Sequence, residues 1–367
     1  MAMEHEPLHK VRETFTVDWY RCPIPKETLK SLTQRSDARG FLQTAGYLAL
    51  LVVIGGAAWV FFVHGDWIAF AVGLFVYGTI CSFNPGLVTH EFSHGTVFKT
   101  KGVNGFFLRF FSLLGWVNFH YYKRSHTFHH LYTLHPRGDR EVVLPQTPSL
   151  HPLRLFLQFT LNIPALWATI RATARLAFLG KFTTEWAEAL YPPEDQAARA
   201  QTRRWAWIVL IFHAAIVALA IVFRLWMLPI LVTVGGFLAT WWSYFTGLPM
   251  HAGLRDNVPD FRLCCRTIKL DPFSRFIYWH MSFHTEHHMY AAVPCYNLHR
   301  LARVIAPDMP QPRSVVDSWK EMRDVYRRQK TDPTYQLDTP LPQKPGPKSA
   351  QDAMGASLGD LKPADLG

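Results

Sequence analysis

Charge is scarce in this 367-residue chain: Asp, Glu, Lys and Arg make up 18% of it, where a soluble protein carries roughly a quarter. Four stretches hold none of the four at all: Leu42–Val63, Trp67–Thr89, Trp205–Phe223 and Leu225–Met250. None of the five cysteines (Cys22, Cys81, Cys264, Cys265 and Cys295) forms a C-x-x-C pair, which argues against a built-in zinc ribbon, rubredoxin or iron–sulfur site. Nothing in their placement suggests disulfides. Residues 1–41 lack the apolar core and cleavage site of a signal peptide, so none is expected. No internal repeat of useful length is present.

What the chain does have is apolar length. A helix needs about 20 mostly apolar residues to cross the hydrocarbon core, and each of the four stretches is about that long. Four such runs in two back-to-back pairs predict an all-α, polytopic membrane protein with two transmembrane helical hairpins. Of the 38 Lys and Arg residues, 37 lie outside residues 42–89 and 205–250, the exception being Arg224. The positive-inside rule then predicts that both termini are cytoplasmic, in what reads as a bacterial inner membrane. Trp67, Trp205 and Trp226 stand at span ends, where aromatic rings favour the headgroup zone.

This reading divides the chain into a cytoplasmic segment 1–41, a membrane domain 42–305 and a C-terminal extension 306–367, disordered from about residue 329. Two further apolar stretches, Val103–Phe119 and Leu153–Leu179, carry arginines and are expected to lie in or near the interface. Pro164 is expected to bend the second.

Histidine is concentrated as strongly as charge is depleted. His90-Glu-Phe-Ser-His94, His126-Thr-Phe-His-His130 and His284-Thr-Glu-His-His288 hold eight of the 18 histidines. Positions i, i+3 and i+4 share one helix face, so each segment presents its imidazoles on one side. Neutral imidazole is a strong ligand for divalent metals. Eight ligands exceed the four of a tetrahedral zinc site and suit two metals. The expected ligands are therefore His90, His94, His126, His129, His130, His284, His287 and His288. His251, at the boundary of the fourth stretch, is a ninth candidate, and its rival is His280, which stands four residues before His284 and would add a turn to the same face. Single histidines such as His9 and His213 are expected to be structural.

These three boxes on a membrane scaffold resemble the membrane fatty acid desaturase and hydroxylase superfamily. The short first box is similar to that of acyl-lipid desaturases and alkane hydroxylases. Tyr121-Tyr-Lys-Arg-Ser-His126 approximates the family's lead-in to the second box, without its usual tryptophan. Met289-Tyr-Ala-Ala-Val-Pro-Cys-Tyr-Asn-Leu298 is similar to the desaturase continuation after the third. The resemblance covers roughly residues 45–305. It implies a cytoplasmic helical cap carrying a non-haem di-iron centre (two iron ions cycling between Fe2+ and Fe3+), O2 as co-substrate and two electrons from an external ferredoxin, rubredoxin or cytochrome b5 type donor. The implied metal ligands are the eight box histidines and His251.

The expected reaction is oxidation of a C–H bond in a lipophilic chain, most simply desaturation of a fatty acyl group. Hydroxylation of an alkane, carotenoid or small metabolite, including oxidative demethylation, is the alternative on the same scaffold. A remote alternative is an intramembrane zinc protease, since His90-Glu91-Phe-Ser-His94 also reads H-E-x-x-H; a metal transporter is another. Glu91, Glu286 and His280 are candidates for orienting the imidazoles. Lys123, Arg124, Arg137 and Arg140 are candidates for holding a substrate headgroup, and Trp241, Trp242, Tyr244 and Phe245 for lining a substrate path. The expected partners are the bilayer, the lipophilic substrate and the electron donor, with no nucleic acid. The net charge of +11 reads as topology and as a target for an acidic carrier.

Overall fold

A computed structural model describes residues 6–342. The expected disorder from about 329 falls mainly on 343–367, outside the described residues. Residues 330–342 are described and make contacts, among them Gln336 to Asp256 at 2.5 Å.

The protein is mostly helical. Its only strands among the described residues are the two-residue segments Ile268–Lys269 and Arg313–Ser314, which pair in parallel. Three helices are long and apolar enough to cross a membrane: Asp37–His64, Trp67–Ser93 and Gln196–Phe223. Their outward faces carry Leu42, Val52, Val53, Ile68, Ile211 and Val222, all exposed. Such a belt is costly in water and natural in lipid. The chain is a membrane protein.

The first two long helices form a tight hairpin. Gly65 ends the first in a left-handed conformation (φ 73°), which glycine adopts without a Cβ clash. The Asp66 side chain then caps the next helix by accepting from the Ala69 amide at 3.1 Å. Small residues set the approach of the pair: a Cβ on Gly73 would stand 3.2 Å from that of Ala58. The second helix then widens into a π turn at Asn84–Val88. Pro85 has no N–H to give the ladder, and a local change of helix type accommodates this. The turn leads straight into Thr89–Ser93, so the first histidine box continues a spanning helix, as its place in the sequence predicts.

The fourth apolar stretch departs from expectation. Leu225–Met250 is not one spanning helix but the helices Met227–Val232 and Trp241–Gly247 with 3-10 turns at Gly235–Phe237 and Leu248–Met250. The backbone there packs closely against the second helix. A Cβ on Gly236 would come within 2.9 Å of the Pro85 ring, and Gly235 lies against Tyr77. The freed backbone groups are taken up by the interfacial segment: Ala239 N–H donates to Thr160 O at 2.7 Å, and Asn162 N–H to Phe237 O at 2.9 Å. Backbone breaks at membrane depth survive only with such partners.

The same pairing splits Leu153–Leu179 into two helices, Pro152–Phe159 and Ile163–Leu179. The break falls at 160–162, and Pro164 stands in the first turn of the second helix rather than at a bend.

Polar ties from both ends of the chain hold the histidine-bearing elements. The buried Arg266 guanidinium pairs with Glu321 on the helix Val315–Gln329 at 2.8 Å and donates to the carbonyls of Pro249 and Ala252, on either side of His251. Near the N-terminus, Tyr290 donates to Cys22 O at 2.5 Å, Asn297 to Leu32 O at 2.8 Å and Trp19 to Leu131 O at 2.9 Å. These bonds link residues 19–32 to the second and third boxes.

Gly78 is the tightest test of the packing within the membrane bundle. A Cβ there would meet Leu238 backbone atoms at 2.8 Å, whereas one on Gly56 would meet nothing within 4 Å. Gly78→Ala is therefore expected to cost about 1–3 kcal/mol and lower the melting temperature in detergent by several degrees. Gly56→Ala is expected to be neutral or slightly stabilising. Equal melting curves for the two variants would contradict this packing.

Candidate metal centre

Four elements deliver nine imidazoles to one place. His90 and His94 stand on Thr89–Ser93, and His126, His129 and His130 on Phe119–Tyr132, whose first turn is capped by Asn118. His284, His287 and His288 lie on the short helix His284–Met289, and His251 follows the 3-10 turn Leu248–Met250. The spacing that groups each box on one helix face is local. Only packing brings the faces together.

The Nε2 atoms turn inward. They stand 3.2 Å apart for His90 and His94, 2.9 Å for His126 and His130, 3.2 Å for His130 and His287, and 2.9 Å for His251 and His284. Two sets emerge. Ligand atoms of His90, His94, His126, His130 and His287 all lie within 4.8 Å of one another, as do those of His251, His284, His288 and Cys265. The His129 ring faces the second set, its centroid 5.0 Å from His251 and 4.9 Å from His288. His126 and His129 also group with Glu141. Glu141 already accepts from His126 Nδ1 at 2.9 Å, so this third grouping is best read as support for the rings.

Five of the nine outer nitrogens have an oxygen acceptor, while the buried Nδ1 atoms of His130 and His287 have no partner among the described residues. Glu91 lies 3.0 Å from His90 Nδ1, Asp139 2.8 Å from His129 Nδ1, and Thr133 Oγ1 3.1 Å from His288 Nδ1; the Cys264 carbonyl accepts from His251 Nδ1 at 2.9 Å. An acceptor at Nδ1 fixes the proton there and leaves the Nε2 lone pair free for a metal. Asp139 is itself fully buried and held by the amides of Leu134 and Glu141, both at 2.9 Å.

Burial pushes His94 and His251 down to about 3, and His126, His130, His284, His287 and His288 well below the usual histidine range. Neighbouring imidazoles add to the effect. Burial acts on His129 in the same sense, but the Asp139 carboxylate outweighs it and holds His129 above the usual value. Apart from His129, which is paired with Asp139, these rings are neutral and offer their lone pairs. His288 Nε2 is buried with no hydrogen-bond partner among the described residues. Such a donor set fits metal ions and is otherwise hard to satisfy.

Several candidates take other places. His280 does not extend the third box: Trp279 and His280 both have positive φ (48° and 59°), and the helix begins only at His284. The His280 ring faces His299 instead, at 6.4 Å. Glu286 accepts from Thr267 at 2.5 Å and makes no hydrogen bond to an imidazole among the described residues; burial pushes it up to about 7. Arg124 pairs with Asp195 at 2.6 Å and Arg137 with Glu6 at 2.9 Å, while Arg140 lies over Trp186. Lys123 borders a small crevice beside His94 and His130. His213 stacks on Trp116 at 3.8 Å and bonds Leu113 O, a packing role.

A cleft of about 530 Å3 opens onto the other side of the cluster, with His90, His126, His129, His251 and His284 in its wall. Tyr244 lines it; Trp241 instead packs on Phe75 and Phe159, and Phe245 on Trp319. Residues beyond those expected line it as well: Glu141, Arg154, Gln158 and Asn162. The sequence hint for Asp139 and Glu141 is two acidic residues in the loop directly after the second box. Arg154, Gln158 and Asn162 carry no comparable signal.

The family model described as fatty acid desaturase matches residues 65–319. The chain belongs to the fatty acid desaturase family. Direct comparison with curated proteins yields no match. Membership makes this an oxygen-dependent oxidoreductase of the desaturase and hydroxylase type, and the family's general dependence on metal agrees with the histidine sets.

If Asp139 sets the His129 tautomer, Asp139→Asn should weaken metal retention about 10–100-fold without unfolding the protein. Metal content after dialysis against graded chelator measures this. Unchanged retention would show that His129 needs no carboxylate.

Proposed function

We propose that the chain holds two irons, one by His90, His94, His126, His130 and His287 and the other by His129, His251, His284 and His288, and that it oxidises a C–H bond of a lipophilic or amphiphilic substrate. The observation that carries this reading is the convergence of eight imidazoles in two sets beside one cleft, with the His129 ring against the second set. Bound iron would supply O2 reduction and attack on an unactivated C–H bond, with electrons from an external carrier.

The chain's own residues do the rest. Glu91, Asp139 and Glu141 hold protons on the outer nitrogens, so the inner ones stay available as ligands. The cleft sets where the target carbon stands, and a small shift there decides between loss of a second hydrogen and transfer of oxygen. Desaturation is the preferred outcome, supported by the short first box and the segment Met289–Leu298.

The protease reading loses its general base. Glu91 is buried against His90 Nδ1, on the side of the ring away from the other imidazoles' Nε2 atoms. A proteolytic glutamate must face the metal-bound water.

Protein produced with ample iron is expected to hold two irons per chain, and His129→Ala or His287→Ala to lose most of the iron and all activity. Membranes given a reduced ferredoxin system and 18O2 are expected to yield a product two hydrogens lighter and without label. A product carrying one 18O atom would make the enzyme a hydroxylase; an active protein holding a single zinc would overturn the two-iron reading.

Orientation follows from the basic residues, and the reading places both termini and the metal centre in the cytoplasm. All five native cysteines are buried, so the labelling background is low. Gly65→Cys is expected to react with an impermeant thiol reagent in intact cells, and Arg323→Cys to be protected. The reverse pattern would invert the topology.

A further inference from the structure

The wall of the cleft is richer in hydrogen-bond donors than a saturated chain requires. Thr240 Oγ1 donates to Gln158 Oε1 at 2.5 Å, so the Gln158 amide oxygen is used and its NH2 group is left. Asn162 is in the same position: its Oδ1 caps the next helix by accepting from Ala165 N–H at 3.3 Å. Neither NH2 group has an acceptor among the described residues. The hydroxyls nearby are committed, Ser243 to Thr240 O at 2.8 Å and Tyr244 to Ser149 O at 2.9 Å.

Tyr244 holds the third donor by its ring, with the Arg154 guanidinium 4.8 Å from the centroid. Arg154 makes no ion pair among the described residues. The one carboxylate in the cleft wall, Glu141, is occupied by His126 and Ser125.

Two amide NH2 groups and a guanidinium on a wall without a free carboxylate make a site for an acceptor-rich anion. We propose that Arg154, Gln158 and Asn162 form a subsite for the anionic head, carboxylate or phosphate, of a compact amphiphile. Head and reacting carbon then share one cleft, because the same cleft is walled by His90, His126, His129, His251 and His284. The oxidised bond lies close to the head rather than far along a chain. An uncharged hydrocarbon in this cleft offers none of the three donors an acceptor. This assignment rests on the reading of the histidine cluster as the oxidising centre.

The test is binding without turnover, on the protein as purified in neutral phosphatidylcholine nanodiscs. Octanoate and methyl octanoate are titrated and the heat is recorded. The acid is expected to bind at least about tenfold tighter than the ester, as charge-assisted hydrogen bonds imply. Arg154→Ala brings the two to parity, and Gln158→Leu weakens the acid a few-fold while leaving the ester unchanged; neither alters metal content. Replacing part of the lipid by phosphatidylglycerol separates the two sources of anion. Octanoate binding that is lost in those discs assigns the subsite to a lipid phosphate, and binding that persists assigns it to a free acid. Equal affinities of acid and ester, no binding of either, or an Arg154→Ala variant that keeps the preference overturns the proposal. A protein that shows the preference but holds no iron overturns the two-iron reading and leaves the subsite standing.

Discussion

Nine imidazoles packed together, seven of them with Nε2 atoms about 3 Å from a neighbour's, impose the constraint that the rest of the molecule answers. Lone pairs crowd one another, most of the rings are buried, and charging one of them would place a cation among its neighbours. Burial keeps the rings neutral except His129, which pairs with Asp139. It leaves the crowded lone pairs to be met by cations at the centre and acceptors at the rim. Asp139, Glu141 and Glu91 supply the rim, and their own burial is tolerable because each faces an N–H. Orienting partners of this kind matter nearly as much as the ligands they hold.

Such a cluster needs a stiff frame, and the membrane helices provide one by close approach. Gly73 against Ala58, Gly78 against Leu238 and Gly236 against Pro85 let backbones meet without intervening side chains. The π turn at Asn84–Val88 is the hinge between bilayer and site, because it passes the helix around Pro85 and directly into His90 and His94. From the other side, Arg266 grips both the C-terminal helix and the turn that carries His251.

The broken fourth segment serves the site as well as the fold. Where 235–240 leaves the helical path, its backbone pairs with Thr160 and Asn162. The same departure sets Thr240, Ser243 and Tyr244 opposite Gln158 in the cleft.

Some of this was legible in the residues alone, because it depends on neighbours in the chain. Three of the four uninterrupted apolar runs form long helices as expected, and i, i+3, i+4 spacing puts imidazoles on one helix face. The standing of His251 at the edge of an apolar stretch was enough to nominate it. Other features depend on residues far apart in sequence. Leu225–Met250 has the composition of a spanning helix and is broken where it meets Tyr77, Pro85 and residues 160–162. His280 has the spacing of a ligand and is turned away by two left-handed residues. Asp139 and Glu141 look like surface loop acids until the second box buries them. Composition and periodicity determined the helices and the ligand faces; contact between distant segments decided which faces meet, which carboxylates orient them and what lines the cleft, since those energies arise only on packing.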